Sequence, residues 1–132
     1  MISVNLKRVG VMAAAIVIFG GSSGCGNTDD VMAASELVAR LESGSAPLVL
    51  DVRTPEEYSA GHIPGAINIS HTELRERLSE LEAYKKEEIV VHCGRGGRAS
   101  IAENVLLEAG FADVRDLEGH MQQWKENDYP IE

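Results

Sequence analysis

Residues 88–98 read Glu-Ile-Val-Val-His-Cys-Gly-Arg-Gly-Gly-Arg, and this stretch sets the fold class. Ile89, Val90 and Val91 are consecutive apolar β-branched residues, the pattern of a short strand buried on both faces. Three glycines then break the pattern, and Ile101, Val105 and Leu106 resume at helical intervals up to Gly110. A buried strand, a glycine turn and a helix form part of a βαβ unit. The rest of the chain repeats that alternation.

Upstream, residues 33–41 place Leu37, Val38 and Leu41 on one helical face, ended by Ser43-Gly44. Residues 48–52 after Pro47 predict a buried strand, and 55–60 a short helix with Thr54 as N-cap and Pro55 first. A short strand follows over 66–69. Ser70 and Glu73 stand at capping-box spacing before Leu74, Leu78 and Leu81. Downstream, 114–117 predict a strand and 119–127 a last helix. The fold class is therefore α/β, an open, mostly parallel sheet with helices on both faces.

The turn at 93–98 carries the chemistry. It lies at the carboxyl end of its strand, where ligands bind in open α/β sheets. Gly94, Gly96 and Gly97 let the backbone curl so that its N–H groups converge on an anion. The following helix presents its positive end there, and Arg95 and Arg98 add formal charge. All of these favour thiolate over thiol, which makes Cys93 a candidate nucleophile. His92 adjoins Cys93 in sequence, but consecutive strand side chains point to opposite faces, so it is a poor candidate for the base.

Composition narrows the partners. Twelve Lys and Arg against 21 Asp and Glu give −9 over 132 residues, which excludes nucleic acid as the main partner. A hydrophobic content of 44% with 25% charged residues describes one ordinary globular domain rather than a disordered chain. One loop cysteine and scattered histidines predict no metal site, and the chemistry needs no organic cofactor.

Residues 1–24 have the parts of an export signal: Lys7 and Arg8, an apolar stretch over 9–19, and a small-residue exit over 20–24. That stretch is about half the ~20 residues of a membrane span. A buried N-terminal helix is the competing reading, and the lack of any charge between Arg8 and Asp29 tells against it. Removing 1–24 leaves ten basic and 21 acidic residues, −11 over 108 residues. Anionic lipid would repel such a domain, so only acyl chains could hold it at a membrane.

Ser22-Ser23-Gly24-Cys25 resembles the lipobox of bacterial lipoproteins. The resemblance implies cleavage before Cys25, an acylated Cys25 thiol, and a polar tether over 25–34 leading to a domain at 35–132. Ser22 departs from the usual aliphatic residue, and ordinary cleavage nearby would give a free periplasmic or secreted protein instead. With Gly26 next, sorting patterns favour the outer membrane in a diderm bacterium.

The loop at 93–98, after Val90-Val91-His92, resembles the active-site loop of rhodaneses. Asp51-Val52-Arg53-Thr54-Pro55-Glu56-Glu57-Tyr58, running into 61–68, resembles the N-terminal signature of that family, and Leu117-Glu118-Gly119 with Trp124 the C-terminal one. His120 stands where a second glycine is common. The resemblance covers about 35–132. It implies a single-domain sulfurtransferase in which Cys93 takes a sulfane sulfur from thiosulfate or a similar anion. Cyanide or a thiol then removes it. The N–H groups of 94–98 would hold the persulfide, with Arg98 shaping the loop and Arg95 meeting the donor. It also implies structural roles for Asp51, for Arg53 paired with Glu57, for His62 at a turn and for Trp124 in the core. Glu56, Glu87 and Glu88 read as solvated ends.

Two rival readings fit the same loop. A thiol-based phosphatase shares the architecture but places five residues between Cys and Arg, whereas four separate Cys93 from Arg98. A persulfide carrier or binding module without turnover would keep the same loop.

Overall fold

The computed structural model describes residues 30–132. The signal segment 1–24, the lipobox 22–25 and Cys25 lie outside the described residues. Five strands, β1 (Val31–Met32), β2 (Leu48–Asp51), β3 (Ile67–Asn68), β4 (Glu88–His92) and β5 (Asp113–Leu117), form one sheet in the order β1-β5-β4-β2-β3. Every pairing is parallel. The helices are α1 (Ala34–Ser43), α2 (Pro55–Ala60), α3 (Gly97–Glu108) and α4 (His120–Glu126), with a 3-10 segment over Leu74–Tyr84.

Alternation along the strands sorts side chains between two cores. Leu50, Ile89, Val91 and Cys93 pack with Leu74, Leu81, Ala102 and Leu106, the face covered by the 3-10 segment and α3. Val49 and Val90 pack with Leu37, Met121 and Trp124, the face covered by α1 and α4. Ile89, Val90 and Val91 are all fully buried, as a strand enclosed on both sides requires. Trp124 is in the core as expected, with its indole N–H donated to the Pro130 carbonyl at 2.7 Å.

Several expectations are corrected. Residues 31 and 32, assigned to the tether, form β1: Met32 is fully buried and Val31 pairs with Asp116. The two-residue edge strand is too short to show periodicity. The capping box at Ser70 and Glu73 does not form, because the Ser70 hydroxyl donates to the Arg53 carbonyl and leaves Glu73 to Arg77. The segment that follows is 3-10 and is interrupted at Arg77, where φ is −113° and ψ 16°. Ile101 faces solvent, and α3 meets the sheet through Ala99, Ala102, Val105 and Leu106, the two alanines letting helix and strand backbones approach. Glu88 is no solvated end: it pairs with Arg40 and Arg115, each at 2.8 Å, tying α1 and β5 to β4.

Candidate active site

Parallel pairing brings the carboxyl ends of β2, β4 and β5 to one edge, and the loop 93–98 leaves β4 there. Cys93 is 1% exposed. Gly96 has φ +128°, a conformation open to glycine, and it turns the Gly96 N–H onto Cys93 Sγ at 2.9 Å. A backbone donor aimed at the sulfur stabilises negative charge on it. The Cys93 carbonyl accepts the Met121 N–H at 3.0 Å, and the Gly94 carbonyl accepts the Gln122 N–H at 3.0 Å. The loop is thus fastened to the start of α4.

Arg98, in the first turn of α3, reaches back across the loop. A Cβ on Gly94 would lie 3.2 Å from Arg98 Nη2, a close approach that would oblige the guanidinium to shift by a few tenths of an ångström. Arg98 grips Glu57 through two bonds of 2.7 and 3.2 Å. Glu57 also completes a capping box on α2, accepting the Thr54 N–H at 3.0 Å while Thr54 Oγ1 accepts the Glu57 N–H at 3.2 Å. One carboxylate therefore joins the β2–α2 turn to the sulfur loop.

These contacts correct the expected Arg53–Glu57 pair. Arg53 is 3% exposed and binds Asp51, two residues earlier on the same face of an extended backbone, with Nε 2.9 Å from Oδ1 and Nη2 2.7 Å from Oδ2. Its Nη2 also donates to the Gly61 carbonyl at 2.8 Å. Capping holds Glu57 back toward Thr54, and Arg98 is the cation it then faces.

Hydrogen bonding to Arg98, then to the Thr54 backbone, lowers the Glu57 pKa from 4.5 to about 2. A depressed carboxylate contributes stability that is present above the unfolded value and lost as pH falls through the folded one. The stability gap between wild type and Glu57→Gln should therefore be full above about pH 4.5 and close progressively toward pH 2. Urea titrations across that range measure it. A gap that stays constant with pH would refute the pairing as the cause.

The histidines divide as their faces dictate. His92 is fully buried on the face of β4 opposite Cys93, and its Nδ1–H donates to the Cys93 carbonyl at 3.2 Å. Burial lowers its pKa, partly offset by Asp51 at 3.7 Å, so it is neutral and turned away from the sulfur. His62 stacks on Tyr58 at 3.8 Å and donates from Nδ1 to the Tyr58 carbonyl at 2.9 Å, a turn-stabilising role. His120 is different: its Nδ1 accepts the Cys93 N–H at 3.3 Å.

Beside the loop lies a cavity of about 290 Å³, bordered by Arg53, Glu57, Gly94, Arg95, Met121, Gln122 and Lys125. Arg53 is committed to Asp51, and Arg98 to Glu57. Arg95 and Lys125 have no carboxylate partner among the described residues. The uncommitted charge at this mouth is therefore positive, in an acidic protein. Sequence reasoning identified Arg95 and missed Gln122 and Lys125. Their spacing marks one face of the last helix, but only the docking of α4 on the loop turns that face to the cavity. A hollow of about 560 Å³ at the opposite end of the strands, near Leu48 and Glu88, has no cysteine on its lining.

Comparison with known proteins agrees with this geometry. Residues 33–127 match the rhodanese-like domain. The chain is 40% identical over 109 residues to the HTH-type transcriptional regulator Rv0324 of Mycobacterium tuberculosis, covering 81% of this chain and 46% of that protein. It is 35% identical over 83 residues to thiosulfate sulfurtransferase PspE of Escherichia coli, covering 63% of this chain and 80% of PspE. The chain spans about half the length of the first curated relatives it matches. Among solved structures, the Alr3790 protein from Anabaena sp. superposes with a TM-score of 0.70 at 38% identity, over 76% of this chain and 81% of that one. With the parallel sheet, the glycine loop after β4 and a match across most of its length, the chain belongs to the family of rhodanese-like domains.

Proposed function

We propose that the protein is a sulfurtransferase that carries a sulfane sulfur on Cys93. The observation that supports this most is the Gly96 N–H aimed at Cys93 Sγ from 2.9 Å, beside a cavity whose uncommitted side chains are cationic. The similarity to PspE, a thiosulfate sulfurtransferase, favours thiosulfate as the donor. The Cys93 thiolate attacks the outer sulfur of thiosulfate. The new S–S bond forms as the old one breaks, and sulfite leaves with the bonding pair. Cyanide or a thiolate then attacks the outer sulfur of the persulfide. Its bond forms as the Cys93 S–S bond breaks, and the electron pair returns to the thiolate. No net proton transfer is needed with cyanide, so a neutral, averted His92 is no obstacle.

The parts divide the work. Loop N–H groups stabilise charge on the sulfur, Arg98 holds the loop to Glu57, and Arg95 and Lys125 meet the sulfonate end of the donor. The signal-like composition of residues 1–24 and the lipobox-like 22–25 support placing this chemistry outside the cytoplasm, with Cys25 bearing the acyl chains.

Thiocyanate formation from thiosulfate and cyanide tests the reading. Parallel double-reciprocal lines are expected, as double displacement requires. Hydrolysis of an aryl phosphate without thiocyanate would replace it with the phosphatase reading. Sulfur loading without turnover would leave a persulfide carrier.

A further inference from the structure

Sulfur transfer as described leaves unused the side chain that supports the loop from below. His120 opens α4 with φ +53°, directly after Gly119 at +74°. That backbone region favours glycine and tolerates asparagine and histidine better than most residues. The imidazole occupies a demanding place. Its Nδ1 accepts the Cys93 N–H at 3.3 Å, and its ring lies so close to Gly96 that a Cβ there would stand 3.1 Å from Nε2. Gly96 is the residue whose N–H reaches Cys93 Sγ. One ring therefore touches the backbone of the nucleophile and the residue that donates to its sulfur.

The far side of the ring is also held. Because Nδ1 accepts, the proton of the neutral ring sits on Nε2, which faces Asp116 Oδ1 of β5 at 3.4 Å. Asp116 Oδ1 is buried and makes no well-formed hydrogen bond among the described residues, so the Nε2 side of the ring is the polar group it faces. Burial, then hydrogen bonding to Asp116, raises the Glu103 pKa to about 8. Burial also disfavours the Asp116 anion, but His120 and Glu103 outweigh it and its pKa falls. Glu103 thus keeps the proton of the pair, and Asp116 presents the negative charge to the ring.

We propose that His120 is a positioning residue of the sulfur-carrying loop: Nδ1 holds Cys93 by its N–H, the ring backs Gly96, and Asp116 fixes the tautomer that lets Nδ1 accept. This rests on the sulfur-transfer reading for its effect on turnover, but not for the contact itself.

Two variants test it in the full-length protein. His120→Gly suits the backbone and removes the acceptor. His120→Asn tolerates the same φ and places Oδ1 near the position of Nδ1. His120→Gly should raise the native-state amide exchange rate of Cys93 about tenfold and lower kcat for thiosulfate about tenfold, with KM within about twofold, the size expected for one lost hydrogen bond. His120→Asn should restore both to within about threefold of wild type. A purely structural role would not be rescued by an acceptor of that size. Unchanged Cys93 exchange in His120→Gly overturns the proposal, as does His120→Asn behaving like His120→Gly. Should wild type form no thiocyanate, the sulfur-transfer reading fails, and the exchange rates still decide the role of His120.

Discussion

Cys93→Ser is expected to reduce thiocyanate formation to background, a loss of about 10⁴-fold or more. The hydroxyl is protonated at neutral pH and cannot form a persulfide, so the first displacement has no nucleophile. The fold should be unaffected, because Ser and Cys are close in volume and the Gly96 N–H finds an oxygen in place of Sγ. Circular dichroism and a thermal melt would establish that the loss is chemical. Retention of even a tenth of wild-type turnover by a folded Cys93→Ser protein would place the sulfur on another group.

The second large effect is on stability. Arg53→Ala should destabilise the domain by about 3–5 kcal/mol, the usual result of breaking a buried ion pair from one side. Asp51 is fully buried, and its carboxylate accepts Arg53 Nε, Nη2 and the Arg53 backbone N–H. Truncating Arg53 leaves that charge without its cation and frees the Gly61 carbonyl. Against a typical total of about 5–15 kcal/mol, much of the stability would go. Urea unfolding measures it. The double variant Asp51→Asn with Arg53→Met should recover a large part of the loss, since no uncompensated charge remains. A cost below about 1 kcal/mol for Arg53→Ala would mean that Asp51 is solvated and the pair is not structural.

The parts of the fold that were legible in sequence depend on local chemistry. The strand at 88–92 is stated by its apolar run, and the helix at 55–60 by Thr54 and Pro55, whose capping box is formed. The opposite-face placement of His92 and Cys93 follows from strand alternation alone. What could not be read was the pairing of charges across elements. Whether Arg53 meets Asp51 or Glu57 depends on how tightly Thr54 holds Glu57, and on Arg98 arriving from 41 residues away. Lys125 joins the cavity only because Met121 and Gln122 donate to the Cys93 and Gly94 carbonyls. His120 was visible only as a histidine where a second glycine is common, and its contact with the loop is a product of tertiary packing.

That Cys93 carries the sulfur is tested most directly by the intact mass of the protein after exposure to thiosulfate and removal of excess reagent. Wild type should gain the mass of one sulfur atom, lose it on addition of cyanide, and show no gain when Cys93 is replaced by Ser. An unchanged wild-type mass, or a gain that persists in Cys93→Ser, would contradict the assignment.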